Sequence, residues 1–424
     1  MPMILYSYNV ENITSQLLAA RAATQAIQHI PAEKRAQVLI QLADVLEQHV
    51  PEILDANQTD LDAMDKEDPK YDRLLLTAER IDGLCSSLRE IAILEDPTGK
   101  LLSSKRLENG LLVEKKTVAL GVVAVIYESR PNVSIDVAAL CIRSGNVCLL
   151  RGGSDAWHTN TVLVKLIRKV LADMSVDPAV VQLLPTARKF VTELLEATKY
   201  VDIIIPRGSQ SLIDFVRNHA KVPVIETGAG VCHTYVESTA DLDKAAAIVA
   251  NAKISRPSVC NALDTVLVDR EIANTFLPKL VDAFSKAEVE VFADNTAYEV
   301  LKNERYPFLK HAEESDFGRE FLDLKCSIKV LDNTEEALDH IALYSSRHSE
   351  CIISNDAEKI ERFMNSVDAA AVYANASTRF TDGGEFGLGA EIGISTQKLH
   401  ARGPFALEKL VTEKWFVTGD GQIR

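Results

Sequence analysis

The sequence lacks the residue spacings that mark metal sites and disulfide frameworks. Its seven cysteines form no Cys-x-x-Cys pair and are odd in number, and its nine histidines show no His-Glu-x-x-His spacing. Structural zinc sites and disulfide-stapled domains depend on such spacings. We therefore expect no metal, reduced thiols and a cytoplasmic location.

Positive charge is scarce as well. Lysine and arginine number 46 against 61 aspartates and glutamates, which gives a net charge of −15. This field repels nucleic acid, so we expect no nucleic-acid partner, and an anionic substrate must be held by local donors or a few cations. No apolar run reaches the length of a membrane span, and the first residues, MPMILYSYNVENI, lack the basic start of a signal peptide.

Apolar periodicity predicts an α/β fold for this chain of 424 residues. Residues 11–95 show helical spacing, and residues 107–128 predict strands with a hairpin turn at Asn109 and Gly110. Apolar strands then alternate with amphipathic helices, which is typical of a parallel sheet covered on both faces, and the alternation restarts near residue 241. The strands predicted for the first unit are 146–152, 179–185, 200–208 and 221–228.

One cysteine differs from the others in its neighbours. Cys260 lies in SRPSVCNALDT (255–265), between a predicted helix and an apolar strand, among small and polar residues. Packing cysteines lie among apolar residues, whereas catalytic groups are often placed at such junctions. With thiolate character, supplied by a helix terminus, Arg256 or Lys253, the sulfur could attack a carbonyl. A buried structural cysteine is the alternative.

Two glycine turns follow predicted strands. LLRGGSDAWHTN (149–160) and IIIPRGSQSLIDFV (203–216) each lead through glycine into a helix, whose first turn offers N–H groups to an anion. Two such turns at the carboxyl ends of neighbouring strands would form a crevice for a dinucleotide. Ordinary turns with Ser209 as N-cap are the alternative, and neither turn has the Gly-x-Gly-x-x-Gly pattern.

Other polar residues lie at predicted strand ends and in the C-terminal part. Arg130 and Asn132 could bind a carboxylate or phosphate, or cap a helix. Glu226 could act as a base, bind a ribose or nicotinamide, or be solvated, and the nearby glycines mark close backbone approach. The basic pair His400 and Arg402 could bind substrate or belong to an interface loop.

The ordered set of segments resembles the gamma-glutamyl phosphate reductases, or glutamate-5-semialdehyde dehydrogenases, of the aldehyde dehydrogenase superfamily. The resemblance covers nearly the whole chain, and the segments that carry it are VIYESRPNVSIDVAALCIRSGN, LLRGGSDA, PRGSQSL, VPVIETGAGVCHTYV, SRPSVCNALDTVLV and LHARGPFALEKLVTEKW. The resemblance implies NADPH-dependent reduction of L-glutamyl 5-phosphate to L-glutamate 5-semialdehyde with release of phosphate, the second step of proline synthesis.

The resemblance also implies an architecture of two Rossmann-like parallel-sheet domains and a small β oligomerisation flap. We expect a homo-oligomer, either a dimer or a tetramer. A weak association with glutamate 5-kinase is conceivable because the kinase product is labile, but no sequence feature supports it. The expected parts are a cofactor-binding domain (1–99 and 119–235, with part of 385–402), a catalytic domain (236–384) and the flap (100–118 and 403–424).

Site residues follow from the resemblance in the same way. Cys260 is the expected catalytic thiol, and its backbone N–H with Ser129 or Asn132 is expected to hold the oxyanions. The expected cofactor residues are Arg151, Gly152, Gly153, Ser154, Pro206, Arg207, Gly208, Ser209 and Glu226. The expected substrate residues are Arg130, Arg256, Asn261, His400 and Arg402.

Three points stay open at the level of sequence. Many relatives carry lysine where this chain has Ser154, so the residue itself gives little support to NADPH over NADH, although the family favours NADPH. Glu226 is expected to position the cofactor first and to act as a base second. An aldehyde-oxidising enzyme with the same thiol, a thiol hydrolase without nucleotide and a non-catalytic binding protein are the rival functions.

Overall fold

The structure, a computed structural model, describes residues 11–68 and 70–424, so most of the segment MPMILYSYNVENI lies outside the described residues. The chain forms two compact units. Unit 1 runs up to Thr227 and includes Gly387–Gly393 and Phe405–Arg424, and unit 2 consists of Gly228–Phe386 and Ile394–Pro404. The assignment of cofactor binding, catalysis and subunit contacts to separate parts of the chain stays a prediction.

Helices and strands alternate along most of both units. The α-helices of the described residues are α1 (Thr14–Gln28), α2 (Ala32–Gln48), α3 (Val50–Asp62), α4 (Tyr71–Leu74), α5 (Ala78–Ile93), α6 (Asn132–Arg143), α7 (Trp157–Asp173), α8 (Arg188–Leu195), α9 (Gln210–His219), α10 (Leu242–Ile254), α11 (Arg270–Lys286), α12 (Asn295–Asn303), α13 (Thr334–Tyr344) and α14 (Ala357–Ser366). The strands are β1 (Leu101–Arg106), β2 (Leu112–Ala119), β3 (Val122–Tyr127), β4 (Val147–Arg151), β5 (Val181–Leu183), β6 (Ile203–Arg207), β7 (Cys232–Val236), β8 (Leu263–Asp269), β9 (Glu290–Ala293), β10 (Leu309–His311), β11 (Lys325–Leu331), β12 (Ser349–Ile353), β13 (Ala371–Ala374), β14 (Glu391–Ser395), β15 (Gly403–Ala406) and β16 (Val411–Thr418).

The central sheet of unit 1 has four parallel strands in the order β5-β4-β3-β6. The apolar strand β3, of sequence VVAVIY, is buried along its whole length because helices cover the sheet. The chain proceeds outward from β3 to β5 and then returns to β6 on the other side of β3. This reversal creates a crevice at the carboxyl ends of β3 and β6, where open α/β sheets bind their ligands.

The strand order corrects one expectation. The glycine turns after β4 and β6 do not follow neighbouring strands, because β3 lies between those two strands. The reason is that β6 pairs with the far side of β3. All four strands are parallel, so both turns still lie at the same edge of the sheet.

A separate antiparallel sheet in unit 1 has the order β1-β2-β16. The predicted hairpin turn is present, with Gly110 at a φ of +88°, but its first strand begins at Leu101, before the predicted start at residue 107. The C-terminal strand β16 pairs along all of β2, from Val411 opposite Ala119 to Thr418 opposite Leu112. The hairpin and the tail therefore form one structure.

Unit 2 is built on seven parallel strands in the order β10-β9-β11-β8-β7-β12-β13. One face of this sheet packs against an apolar core that includes Phe276 and Phe284 of α11, and the other against α13 and α14, with Phe363 fully buried. Both faces are thus covered, as the predicted α/β fold requires. None of the helices in the described ranges is long and apolar enough to cross a bilayer.

One local prediction fails. The strand predicted at 221–228 is only an isolated bridge between Ile204 and Val224, because Pro223 has no N–H to donate to a ladder. In addition, α12 and the edge strand β10 of the second sheet lie in a region for which no element was predicted.

Candidate active site

Cys260 lies on the short loop that joins α10 to β8. The helix ends at Ile254 and the strand begins at Leu263. All seven cysteines fall within the described ranges, and Cys260 is half-buried whereas the other six are buried. The predicted nucleophile is therefore the thiol that combines a fixed backbone with access from outside.

A second segment packs tightly against the backbone of this loop. A Cβ at Gly230 would lie 1.7 Å from the carbonyl oxygen of Cys260, so no residue with a side chain fits there without displacement of the loop. The same carbonyl accepts a hydrogen bond from the Cys232 thiol at 3.2 Å, and the Gly230 N–H donates to the Glu320 carboxylate at 2.8 Å. The expectation that glycine marks close backbone approach here is confirmed at Gly230.

Asn261 ties the cysteine loop to a distant turn. Its amide donates to the carbonyls of Arg379 at 3.2 Å and Thr381 at 2.9 Å, and its Oδ1 accepts from Nη1 of Arg379. The Asn261 carbonyl accepts from the Thr378 hydroxyl at 2.8 Å. This buried side chain has a structural task, and its role toward the substrate stays a prediction.

Charged groups are buried beneath the loop. Lys253 is fully buried, donates to the carbonyl of Asp323 at 3.0 Å and lies 3.7 Å from the Asp264 carboxylate. Burial raises the pKa of Asp264 to about 7, and the nearby Lys253 opposes this shift. The Lys253 ammonium thus serves buried acceptors, which leaves Arg256 as the predicted cation for the thiolate.

In unit 1 the two glycines of the turn after β4 lie close to polar side chains. A Cβ at Gly152 would lie 2.5 Å from Nδ2 of Asn160, and one at Gly153 would lie 2.2 Å from the Asp155 carboxylate. The Ser129 hydroxyl also donates to Asp155. To donate to an oxyanion, the Ser129 hydroxyl would first have to give up its hydrogen bond to Asp155. Its expected role in holding an oxyanion stays a prediction.

A cavity of about 300 Å³ lies beside this turn. Its polar lining consists of Thr59, Ser154, His158, Asp60, Asp65, Asp68 and Asp155. Asp60 is held by His158 at 2.8 Å, but the lining remains rich in carboxylates. Such surroundings disfavour an additional anion.

The turn after β6 holds an anion supplied by the protein itself. The Glu128 carboxylate accepts from the Ser209 N–H at 2.9 Å, and a Cβ at Gly208 would lie 2.5 Å from it. Ser209 is the N-cap residue of α9, as the alternative expected, but its hydroxyl makes no cap hydrogen bond to the helix. The Glu128 oxygens occupy positions suited to phosphate oxygens, so the donors of this turn fit the pyrophosphate of a dinucleotide.

Three further residues expected at the cofactor site, Arg151, Pro206 and Glu226, also have partners within unit 1. Arg151 donates to a backbone carbonyl, and the carbonyl of Pro206 accepts from the Thr227 hydroxyl at 2.9 Å. Glu226 lies 3.3 Å from Nη1 of Arg217. These contacts fix the turns, while the contribution of each residue to cofactor binding stays a prediction.

The expected oxyanion donor Asn132 lies at the start of α6. Its amide donates to Asp136, one turn further along the helix, at 3.1 Å. Burial raises the pKa of Asp136 to about 6. The roles of Asn132 and of the preceding Arg130 toward the substrate stay predictions.

The basic cluster of unit 2 carries its own counterion. Nζ of Lys398 and Nη2 of Arg402 each lie 2.8 Å from the Asp368 carboxylate, and these cations lower the pKa of that acid. His400, between them in sequence, has a φ of +65°. The roles of His400 and Arg402 toward the substrate stay predictions.

Sequence reasoning missed two residues at these sites. Glu128 was not singled out at the β6 turn, because its contact with Ser209 joins positions 81 residues apart. Arg379 was not singled out at the cysteine loop, because its contact with Asn261 joins positions 118 residues apart. No local pattern marks either residue, and only the fold reveals these contacts.

Comparisons with known proteins confirm the predicted α/β fold of aldehyde dehydrogenase type. The model of the aldehyde dehydrogenase family matches residues 5–300. The gamma-glutamyl phosphate reductases of Legionella pneumophila and Pelodictyon phaeoclathratiforme are each 52% identical to this chain, over 97% and 98% of it and 99% of their own length. The crystal structure of gamma-glutamyl phosphate reductase from Thermotoga maritima is 40% identical, with a TM-score of 0.92, and the match covers 98% of this chain and all of that one. The chain belongs to the aldehyde dehydrogenase family and, within it, to the gamma-glutamyl phosphate reductases.

Proposed function

We propose that the protein catalyses NADPH-dependent reduction of L-glutamyl 5-phosphate to L-glutamate 5-semialdehyde and phosphate, the second step of proline synthesis from glutamate. The observation that carries the proposal is the half-buried Cys260 thiol, held on a fixed loop in a chain 52% identical to gamma-glutamyl phosphate reductases. An acyl phosphate is a suitable substrate for such a thiol, because phosphate is a good leaving group.

The chain's own residues carry the covalent steps. The Cys260 thiolate attacks the acyl carbon, the carbon–oxygen bond to phosphate breaks, and a thioester forms. When bound, the nicotinamide supplies the hydride that reduces the thioester carbonyl. Collapse of the resulting thiohemiacetal releases the aldehyde and restores the Cys260 thiolate. The backbone N–H of Cys260 and the amide of Asn132 are our proposed donors to the oxyanions.

The proposed cofactor residues are those of the two glycine turns and the chain next to them. The amide of Ser209 and the open side of Gly208 suit a phosphate oxygen, as their contact with the Glu128 carboxylate illustrates. The full proposed set is Arg151, Gly152, Gly153, Ser154, Pro206, Arg207, Gly208, Ser209 and Glu226. We assign Glu226 to positioning, since hydrolysis of the thioester would waste the substrate.

NADPH is proposed over NADH from family membership, and the residues near Ser154 make the preference modest. Ser154 offers a single hydroxyl, and the cavity beside it is lined by four aspartates. A 2′-phosphate would meet no cation among these lining residues. We therefore expect measurable activity with NADH.

A homo-oligomer, either a dimer or a tetramer, is proposed from the antiparallel sheet. Trp415 and Val417 of β16 and Leu101 of β1 are more than half exposed. Exposed apolar side chains on a sheet commonly mark contacts between subunits. A single monomeric species in light scattering would contradict the proposal. The cytoplasmic location stays a prediction, and so does the association with glutamate 5-kinase.

The reaction run in reverse tests the proposed function. Oxidation of L-glutamate 5-semialdehyde by NADP⁺ must require inorganic phosphate, because phosphate is the group that releases the thioester. NADPH formation that is unchanged when phosphate is removed would instead identify an aldehyde-oxidising enzyme. Absence of dinucleotide binding in a fluorescence titration would favour the thiol hydrolase.

A further inference from the structure

Arg379 is fixed next to the cysteine loop by two neutral acceptors. It lies on the turn after β13 and is half-buried. Its Nε donates to the Ser255 hydroxyl at 3.2 Å, and its Nη1 donates to Oδ1 of Asn261. Both acceptors belong to the loop that carries Cys260, so the guanidinium and the sulfur share one rigid support.

This guanidinium lacks a carboxylate partner. Within residues 11–68 and 70–424, no carboxylate oxygen lies within the 4.0 Å of an ion pair from Arg379. Other arginines of unit 2 do have such partners: Arg362 pairs with Glu335 at 2.6 Å, and Arg402 with Asp368 at 2.8 Å. A half-buried cation without a counterion is costly in free energy, and in a site it is typically held ready for an anionic ligand.

The charges around Arg379 support this interpretation. Burial and the nearby Arg256 lower the pKa of the guanidinium, whereas Asp382, Cys260 and Glu385 oppose the shift. The Asp382 carboxylate accepts from the N–H groups of Gly384 at 2.9 Å and Glu385 at 3.4 Å, so it stabilises the turn in which it lies. Two guanidinium groups thus lie near the nucleophile.

We propose that Arg379 binds the phosphoryl group of the acyl phosphate, and inorganic phosphate in the reverse reaction, next to Cys260. Because the loop holds Nε and Nη1, we assign Nη2 as the donor to the ligand, and Arg256 adds a second positive charge. Arginine suits this task because its planar guanidinium matches phosphate oxygens. In a chain of net charge −15, a local pair of cations is what retains a dianion.

The phosphoryl group is a better candidate than the substrate's α-carboxylate. Phosphate is bonded to the carbonyl carbon that Cys260 attacks, so it must lie beside the nucleophile. The α-carboxylate lies at the other end of the five-carbon chain. A residue on the same support as the sulfur is therefore placed for the leaving group.

The experiment measures three KM values in the reverse reaction, those for inorganic phosphate, semialdehyde and NADP⁺, on the full chain. This inference rests on the proposed function. The test variant is Arg379→Lys, which keeps the positive charge but loses the planar, forked arrangement of guanidinium donors. We expect the KM for phosphate to rise about tenfold or more, as loss of a charge-assisted hydrogen bond implies, with the other two KM values within about twofold. Arg362→Lys, at a paired surface arginine of the same unit, is the control and should change none of them.

The outcomes separate the two proposals. Wild-type activity that does not depend on phosphate would overturn the proposed function itself. Phosphate-dependent activity with an unchanged KM for phosphate in Arg379→Lys would overturn the present inference alone. A raised KM for semialdehyde with a normal KM for phosphate would assign Arg379 to the carboxylate and would likewise overturn it.

A second measurement avoids turnover altogether. Iodoacetate is an anion and iodoacetamide is neutral, so the ratio of their alkylation rates at Cys260 reports the local positive charge. Arg379→Gln should lower this ratio about fivefold and abolish protection by inorganic phosphate, whereas Arg362→Gln should retain both. A ratio and a protection equal to wild type would overturn the inference, and thermal unfolding identifies a variant that fails to fold.

Discussion

The turn after β6 in unit 1 and the cysteine loop in unit 2 differ in the charged side chain that each one binds, which is a carboxylate at the first and a guanidinium at the second. At the first, the Glu128 carboxylate already occupies the Ser209 N–H at 2.9 Å. At the second, Arg379 is held by the neutral groups of Ser255 and Asn261. In our proposals, a ligand of the first site must displace an internal anion, whereas the cation of the second site is left for the ligand.

This difference teaches how each site sets its affinity. Displacement of an internal anion would cost part of the binding free energy, so we expect the proposed cofactor site at the β6 turn to bind a dinucleotide less tightly than its donors alone would allow. A preorganised cation has no such competitor, although it destabilises the empty site. The variants below change one side of the comparison at a time.

The largest effect should come from Cys260→Ala. Removal of the nucleophile should lower turnover by about three orders of magnitude or more. Dinucleotide binding should survive, because the glycine turns belong to unit 1. Steady-state turnover and a dinucleotide titration, both measured on the same preparation, check this prediction. Residual activity above a few per cent would place the nucleophile elsewhere.

The next largest effect should come from Gly230→Ala. Its Cβ would lie 1.7 Å from the Cys260 carbonyl oxygen, so the cysteine loop must move. A shift of the nucleophile by about 1 Å can cost about a hundredfold in kcat. The control is Gly83→Ala on α5, where a Cβ meets no atom of the described residues within 4 Å. That variant should retain kcat and unfold at a slightly higher temperature, since alanine favours a helix. A normal kcat in Gly230→Ala would show that the loop tolerates displacement.

A smaller effect is expected from Glu128→Gln. Loss of the charge weakens the internal competitor at the start of α9, so the dinucleotide should bind about twofold to fivefold tighter, which corresponds to the 0.3–1 kcal/mol typical of a charge at a helix N-terminus. Glu358→Gln, on the first turn of α14 in the other unit, is the matched control and should leave the dissociation constant unchanged. Weaker binding in Glu128→Gln would mean that the carboxylate contacts the cofactor directly.

The contrast also explains which features sequence alone predicts. Cys260 and the glycines at 152 and 208 can be selected as candidates from the sequence alone. The residues next to each of them indicate a loop between a helix and a strand. Glu128 and Arg379 were missed because their partners lie 81 and 118 residues away. The alternation of apolar strands and amphipathic helices predicts the α/β fold class, because a parallel sheet that is buried on both faces needs apolar strands and covering helices. The order of β4, β3 and β6 in the sheet could not be predicted, because the sequence of an apolar strand does not indicate which strand pairs with it.

The smallest effect concerns Ser154, at the edge of the acidic cavity in unit 1. Ser154→Lys would place a cation among Asp65, Asp68 and Asp155, where it can pair with a 2′-phosphate. Its interaction with that exposed phosphate should be about 0.5–1 kcal/mol, so the NADPH-to-NADH ratio of kcat/KM should rise about twofold to fivefold. Because the neighbouring carboxylates compete for the new ammonium, the double variant Ser154→Lys with Asp65→Asn should raise the ratio further. An unchanged ratio in both variants would show that this turn does not contact the 2′ position, and the preference between the two cofactors would then have to be set by other residues.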